Sequence, residues 1–118
     1  MTEQTYRGSC QCGRVQFEAP LDLDNTVACN CSRCQRLGWV MAFAPRARVT
    51  ISHGEGETTE YLFNKEHIRH QFCPTCGIET FAFATGPDGT PMMALNVNCL
   101  EGVDPRALSS RQVDGRSL

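Results

Sequence analysis

The 118-residue chain has no excess of basic residues: 11 Lys and Arg stand against 13 Asp and Glu, for a formal charge of -2. Phosphate backbones attract proteins through clustered positive charge, so nucleic-acid binding is not expected. No apolar run approaches the roughly 20 residues of a membrane-spanning helix. The opening MTEQTYRGSC also lacks the apolar core of a secretory signal. Membrane insertion and export are therefore not expected, and the expected compartment is the cytosol. Internal repeats, low-complexity tracts and long helical patterns are missing too, which excludes solenoids and helical bundles. The length predicts one domain over residues 1–118, as a monomer or homodimer, with a core modest enough that metal staples would add materially to its stability.

What the chain does have is eight cysteines. In a secreted protein they would suggest disulfides. In a reducing compartment, clustered Cys-x-Cys and Cys-x2-Cys spacings point to metal. Common ferredoxin spacings match no run here, so zinc is the expected ion.

Three clusters carry seven of the eight. Cys10 and Cys12 sit in TYRGSCQCGRVQFEA, which reads as a strand bent at Gly13; residues two apart on a strand face one side and can share an ion. Cys29, Cys31 and Cys34 form a triplet after a short strand at Thr26-Val27-Ala28. Residues 32–37 suit one helical turn, with Ser32 as N-cap and Gly38 as its stop. Cys73-Pro74-Thr75-Cys76-Gly77 has the form of a zinc knuckle. There, amides after the first cysteine donate to its thiolate, and glycine supplies the left-handed turn. The simplest pairing joins Cys10 and Cys12 to Cys73 and Cys76 in a closed four-thiolate site, whose role is folding because no position is left to exchange. The triplet then has three ligands. Either its fourth position is open, as in catalytic zinc sites, or the distant Cys99 closes it. Cys99 stands alone in NVNCLEG, where a buried free thiol is the commoner outcome.

The rest reads as short strands: 39–44, ending at Pro45; 48–52; 58–63; 68–72; 78–84; and 92–97, the last two joined as a hairpin by Gly86-Pro87-Asp88-Gly89. In residues 78–84, alternation puts Ile78, Thr80, Ala82 and Ala84 on one face and Glu79, Phe81 and Phe83 on the other. Asp104 caps a helical turn that begins with Pro105.

With GSCQCG, ACNCSRCQRLG, FNKEHIRHQFCPTCGIETFA and NVNCLEGVD in this order over nearly its full length, the chain resembles the glutathione-dependent formaldehyde-activating family, which includes centromere protein V. The resemblance implies an all-β fold: a β-tent of short antiparallel strands stapled by zinc, with one or two short helical turns. It implies two zinc ions, one structural on Cys10, Cys12, Cys73 and Cys76, and one assigned to catalysis on Cys29, Cys31 and Cys34. It also implies a carbon–sulfur lyase that joins formaldehyde to glutathione as S-(hydroxymethyl)glutathione.

The donor chemistry suits that reading. Three thiolates leave a zinc complex net anionic, which weakens its Lewis acidity and favours exchange at sulfur, so a small-molecule thiol such as glutathione fits better than a peptide carbonyl. Arg33 and Arg36, beside the triplet, are the nearest cations for glutathione carboxylates, against a plain reading as solvated helix-turn arginines. Lys65 and Arg69 are more distant candidates. His67 and His70 offer acid–base chemistry, but three apart on a strand they face opposite sides, so at most one reaches the site. Trp39 is expected in the core; His53 carries no signal; Glu55, Glu57 and Glu60 read as solvated charge. A non-catalytic zinc module that binds a protein partner is the rival reading.

Overall fold

Alternation in Gln16–Asp22 turns Phe17, Ala19 and Leu21 to one side and leaves the residues between them partly exposed, which defines one wall of the core. The computed structural model describes residues 3–62 and 68–117, so Lys65 and His67 lie outside the described residues. Two sheets form. The smaller has the order β1-β2-β5, from Glu3–Ser9, Gln16–Asp22 and Thr50–His53. The larger has the order β10-β3-β4-β9-β8-β7-β6. Its strands are β3 (Thr26–Cys29), β4 (Met41–Pro45), β6 (Thr59–Tyr61), β7 (Arg69–Phe72), β8 (Glu79–Thr85), β9 (Pro91–Asn96) and β10 (Ser110–Val113). One helix, α1 (Ser32–Leu37), and four short 3-10 turns complete the described residues. The fold is all-β, as expected.

Phe17, Ala19 and Leu21 of β2 pack with Ala42 and Ala44 of β4, Phe81 of β8, and Met93 and Leu95 of β9. Phe17 and Phe81 meet edge to face, with ring centroids 6.3 Å apart. The opposite face of the large sheet carries a second cluster: Val27, Met41, Ala82 and Ala94, with Cys34 of α1 and Trp39 packed among them. This second face positions the cysteine triplet, because β3 ends at Cys29 and α1 folds back over Met41 and Ala82. Trp39 is buried as expected, but it precedes β4 rather than lying within it.

Several expectations are corrected. Residues 5–19 are not one bent strand. β1 ends at Ser9, and Cys10 and Cys12 lie in the turn before β2, where Gly13 N donates to Cys10 O and Val15 N to Cys10 Sγ. The turn's own amides, not strand alternation, aim these sulfurs. The N-cap of α1 is Cys31 rather than Ser32, since Cys31 Sγ accepts from Cys34 N; the stop at Gly38 is as expected, with φ of 67°. Residues 46–48 form a 3-10 turn, and β5 starts at Thr50. Not every pairing is antiparallel: β10, which the sequence did not announce, runs parallel to β3. Parallel neighbours need a crossover, and here residues 30–109, about two thirds of the chain, separate the two strands.

Strict alternation in β8 also fails. Phe72 pairs with Glu79 and Gln71 with Phe81, so Thr80 is an extra residue with no opposite partner. This bulge turns Glu79 away from the face of Phe81 and Phe83 and toward His70.

Candidate metal centre

The four sulfurs of Cys10, Cys12, Cys73 and Cys76 lie within 4.8 Å of one another. Cys10 and Cys12 Sγ are 3.7 Å apart, and Cys12 and Cys73 Sγ 3.6 Å. A tetrahedral ion with bonds of about 2.3 Å requires about 3.8 Å between sulfurs, so the donor set and spacing fit zinc. The knuckle builds its half from backbone. Thr75 N and Cys76 N point at Cys73 Sγ at 3.4 and 3.5 Å, and Gly77 takes φ of 80° so that its own amide closes on Cys73 O. Hydrogen bonds from the Cys76 and Thr75 amides hold the Cys73 thiol down at about 6. Cys12, exposed and with an amide donor from Arg14, is nonetheless pushed up to about 11 by some loss of solvent and by its sulfur neighbours Cys73, Cys10 and Cys76. Arg14 clasps the two halves together, with Nη1 on Thr75 Oγ1 at 2.9 Å.

Cys29, Cys31 and Cys34 form the second cluster, also within 4.8 Å of one another. Strand β3 delivers Cys29, the turn delivers Cys31, and the first turn of α1 delivers Cys34. Burial opposes a charge on Cys31, but the amides of Cys34 and Arg33 outweigh it and lower the thiol; Cys34 N lies 3.3 Å from Cys31 Sγ. Burial pushes Cys34 up to about 12, against the pull of the Trp39 indole N–H. Trp39 Nε1 is buried and has no hydrogen-bond partner of ordinary geometry among the described residues. An orphaned donor beside a cysteine sulfur fits a site whose sulfurs carry negative charge when metal is bound.

Cys99 does not join the triplet. It lies in a 3-10 turn after β9, where the sulfurs of Cys10 and Cys76 act on it, and burial pushes its thiol up to about 12. The described residues thus bring together three triplet sulfurs and no fourth cysteine.

Arg33 and Arg36 both line an open groove of about 430 Å³ with Ser32, Leu37 and Tyr61. Their situations differ. Arg33 is not a solvated arginine: its Nη2 and Nε reach Glu79 Oε1 at 2.7 and 3.1 Å, and its guanidinium lies 4.5 Å over the Tyr61 ring. Arg36 is exposed and donates Nη1 to Ser32 O. His70 is 2% exposed and bonds Glu79 Oε2 at 2.6 Å. Arg69 points elsewhere, pairing with Glu60 at the rim of a larger cleft of about 710 Å³; no cysteine lines either the cleft or the groove. Glu60, Glu55 and Glu57 are salt-bridged to Arg69, Arg46 and Arg14. Hydrogen bonds from Gln71 and Arg69 lower the Glu60 carboxyl.

Sequence reasoning missed Glu79 and the β10 segment. Glu79 looked like one member of an alternating strand, and its partners Arg33 and His70 are 46 and 9 residues away. Nothing local marks the β10 segment as a neighbour of the triplet.

A family model described as glutathione-dependent formaldehyde-activating enzyme matches residues 5–112. The crystal structure of a Rhodobacter sphaeroides protein is similar to this fold with a TM-score of 0.78 and 33% identity, over 90% of this chain and 97% of that one.

Proposed function

Because the chain belongs to the glutathione-dependent formaldehyde-activating enzyme family, we propose that it is a zinc-dependent carbon–sulfur lyase acting on glutathione or a related thiol adduct. The observation that carries this reading is the contrast between a cluster of four thiols and a cluster of three. Four close a site and serve folding, whereas three leave room for a substrate atom. Zinc bound by Cys29, Cys31 and Cys34 would supply acidification of a substrate thiol, so that it reacts as thiolate.

The chain's own residues do the rest. Against burial, the amides of Cys34 and Arg33 lower the Cys31 thiol, which favours the thiolate form a metal needs. The groove of about 430 Å³ beside α1 has Arg36 in its lining, and that exposed guanidinium is open to a carboxylate. In the forward direction the thiol sulfur bonds the aldehyde carbon, and the thiol proton ends on the aldehyde oxygen, giving the hydroxymethyl thioether. The reverse breaks the same bond.

Metal analysis and exchange kinetics test this together. Purified protein is expected to bind two zinc ions and to accelerate exchange between glutathione, formaldehyde and their adduct, followed by NMR. Cys31→Ala is expected to abolish the acceleration with the fold retained. A second zinc that resists exchange and ignores glutathione would sink the enzyme reading in favour of a non-catalytic zinc module.

A further inference from the structure

We infer that Glu79 is a positioning residue for the triplet, holding Arg33, and through it the Cys31–Cys34 turn, in the geometry that binds metal. The inference rests on the reading of the triplet as a metal site. Left in strict alternation, Glu79 would point with Phe81 between the two sheets, where an unpaired carboxylate is costly. The Thr80 bulge turns it to the other face instead, where it meets Arg33 and His70.

There both carboxylate oxygens and the backbone carbonyl of Glu79 are held. Its carboxylate is 1% exposed, with Arg33 on Oε1 and His70 Nδ1 on Oε2. Its backbone carbonyl accepts from Asn96 Nδ2 at 2.8 Å. A buried ion pair of this kind is no cheaper than a well-packed apolar pair, so stability alone does not account for it. What it does hold is the residue between two ligands. The Arg33 side chain is gripped by Glu79 on one flank and covered by Tyr61 on the other, while its neighbour Cys34 directs an amide at Cys31 Sγ.

Removing Glu79 therefore frees the Arg33 guanidinium on one flank and loosens the turn that carries Cys31 and Cys34. Partners outside the ligand set of a metal typically matter at about 10–100-fold in affinity.

The test is Glu79→Gln in the full chain, with zinc affinity read site by site by chelator competition. Cobalt(II)–thiolate charge-transfer absorption serves as a second readout. The triplet is expected to lose about 10–100-fold in affinity while the four-cysteine site is unchanged. The double variant Glu79→Gln with Arg33→Met removes both charges of the pair. Its melting temperature is expected to recover toward wild type while triplet affinity stays low, a split that a purely structural role would not produce. Should Glu79→Gln alone fail to fold, the double variant carries the test. Recovery of both quantities in the double variant would overturn the inference, as would an unmoved triplet affinity in Glu79→Gln. A wild-type protein that takes up no metal at the triplet would overturn the metal reading and this inference together; two ions in the wild type and an insensitive triplet would overturn this inference alone.

Discussion

Gly115 lies directly over Cys29: a Cβ at position 115 would stand 2.4 Å from Cys29 Sγ and 3.2 Å from Cys31 Cβ. Its φ is not in the left-handed region, so glycine is required for space rather than for backbone freedom. The contact is fastened on both sides. Val113 pairs with Cys29 in the β10–β3 register, Arg116 N donates to Asn30 Oδ1, and Asn30 Nδ2 donates to Asp114.

Gly115→Ala should therefore displace either the Cys29 sulfur or the segment above it. The expected outcome is a fall from two bound metal ions toward one, with the melting temperature changed by only a few degrees, because the four-cysteine site lies elsewhere. Metal analysis after gel filtration reads this directly, and two ions retained at wild-type affinity would refute it.

Cys73 and Cys31 should separate folding from chemistry. Cys73 is fully buried and ties the β7–β8 connection to the turn at Cys10 and Cys12. Structural zinc contributes an apparent 10–16 kcal/mol in small peptides, about as much as the whole stability of a domain of this size, roughly 5–15 kcal/mol. Cys73→Ala is expected to give an unfolded chain by circular dichroism, as is Cys10→Ala. Cys31→Ala is expected to keep the fold and lose turnover. Equal loss of structure in all three variants would contradict the division of roles.

Arg36, rather than Arg33, should govern thiol affinity, because Glu79 already occupies the Arg33 guanidinium. Losing one charge-assisted hydrogen bond of about 1.5 kcal/mol predicts a KM for glutathione raised about tenfold in Arg36→Gln, with kcat nearly unchanged. The KM for an uncharged thiol such as 2-mercaptoethanol should not move. A drop in kcat at constant KM would place Arg36 in a different role.

Cys99 should be silent in metal binding and visible in pH dependence. Burial pushes its thiol from 9.0 to about 12. The fold thus keeps the proton while the unfolded chain loses it, and the contribution is complete below pH 9 and lost as pH rises toward 12. Cys99→Ala should keep two zinc ions and flatten the alkaline fall in stability measured by denaturant titration. In the native wild type, iodoacetamide at pH 8 should leave Cys99 unmodified. Rapid labelling there, or a lost zinc in the variant, would show that its surroundings have been misread.

Legibility in the sequence followed the range of the interaction responsible. The knuckle at Cys73–Gly77 is written in five consecutive residues, because its donors, its sulfurs and its left-handed glycine are all local. The stop of α1 at Gly38 and the cap at Asp104 are local in the same way. Cys10 and Cys12 were identifiable as a pair, but not as a turn, because the alternation of Val15 and Phe17 hides where β2 begins. The Ser32 cap lost to Cys31, whose sulfur is an acceptor that a side-chain oxygen rule does not rank.

What the sequence determined by itself is the chemistry of the donors: eight cysteines at spacings that suit metal, an all-β pattern, and the family to which both belong. Tertiary structure decided which sulfurs meet, for Cys99 was free to complete the triplet until the end of β9 set it beside Cys10 and Cys76. It also decided the surroundings of the triplet. One extra residue at Thr80 turned Glu79 to Arg33, and a parallel strand from the far end of the chain laid Gly115 on Cys29. Both depend on register between segments distant in sequence, and register is a property of the assembled sheet.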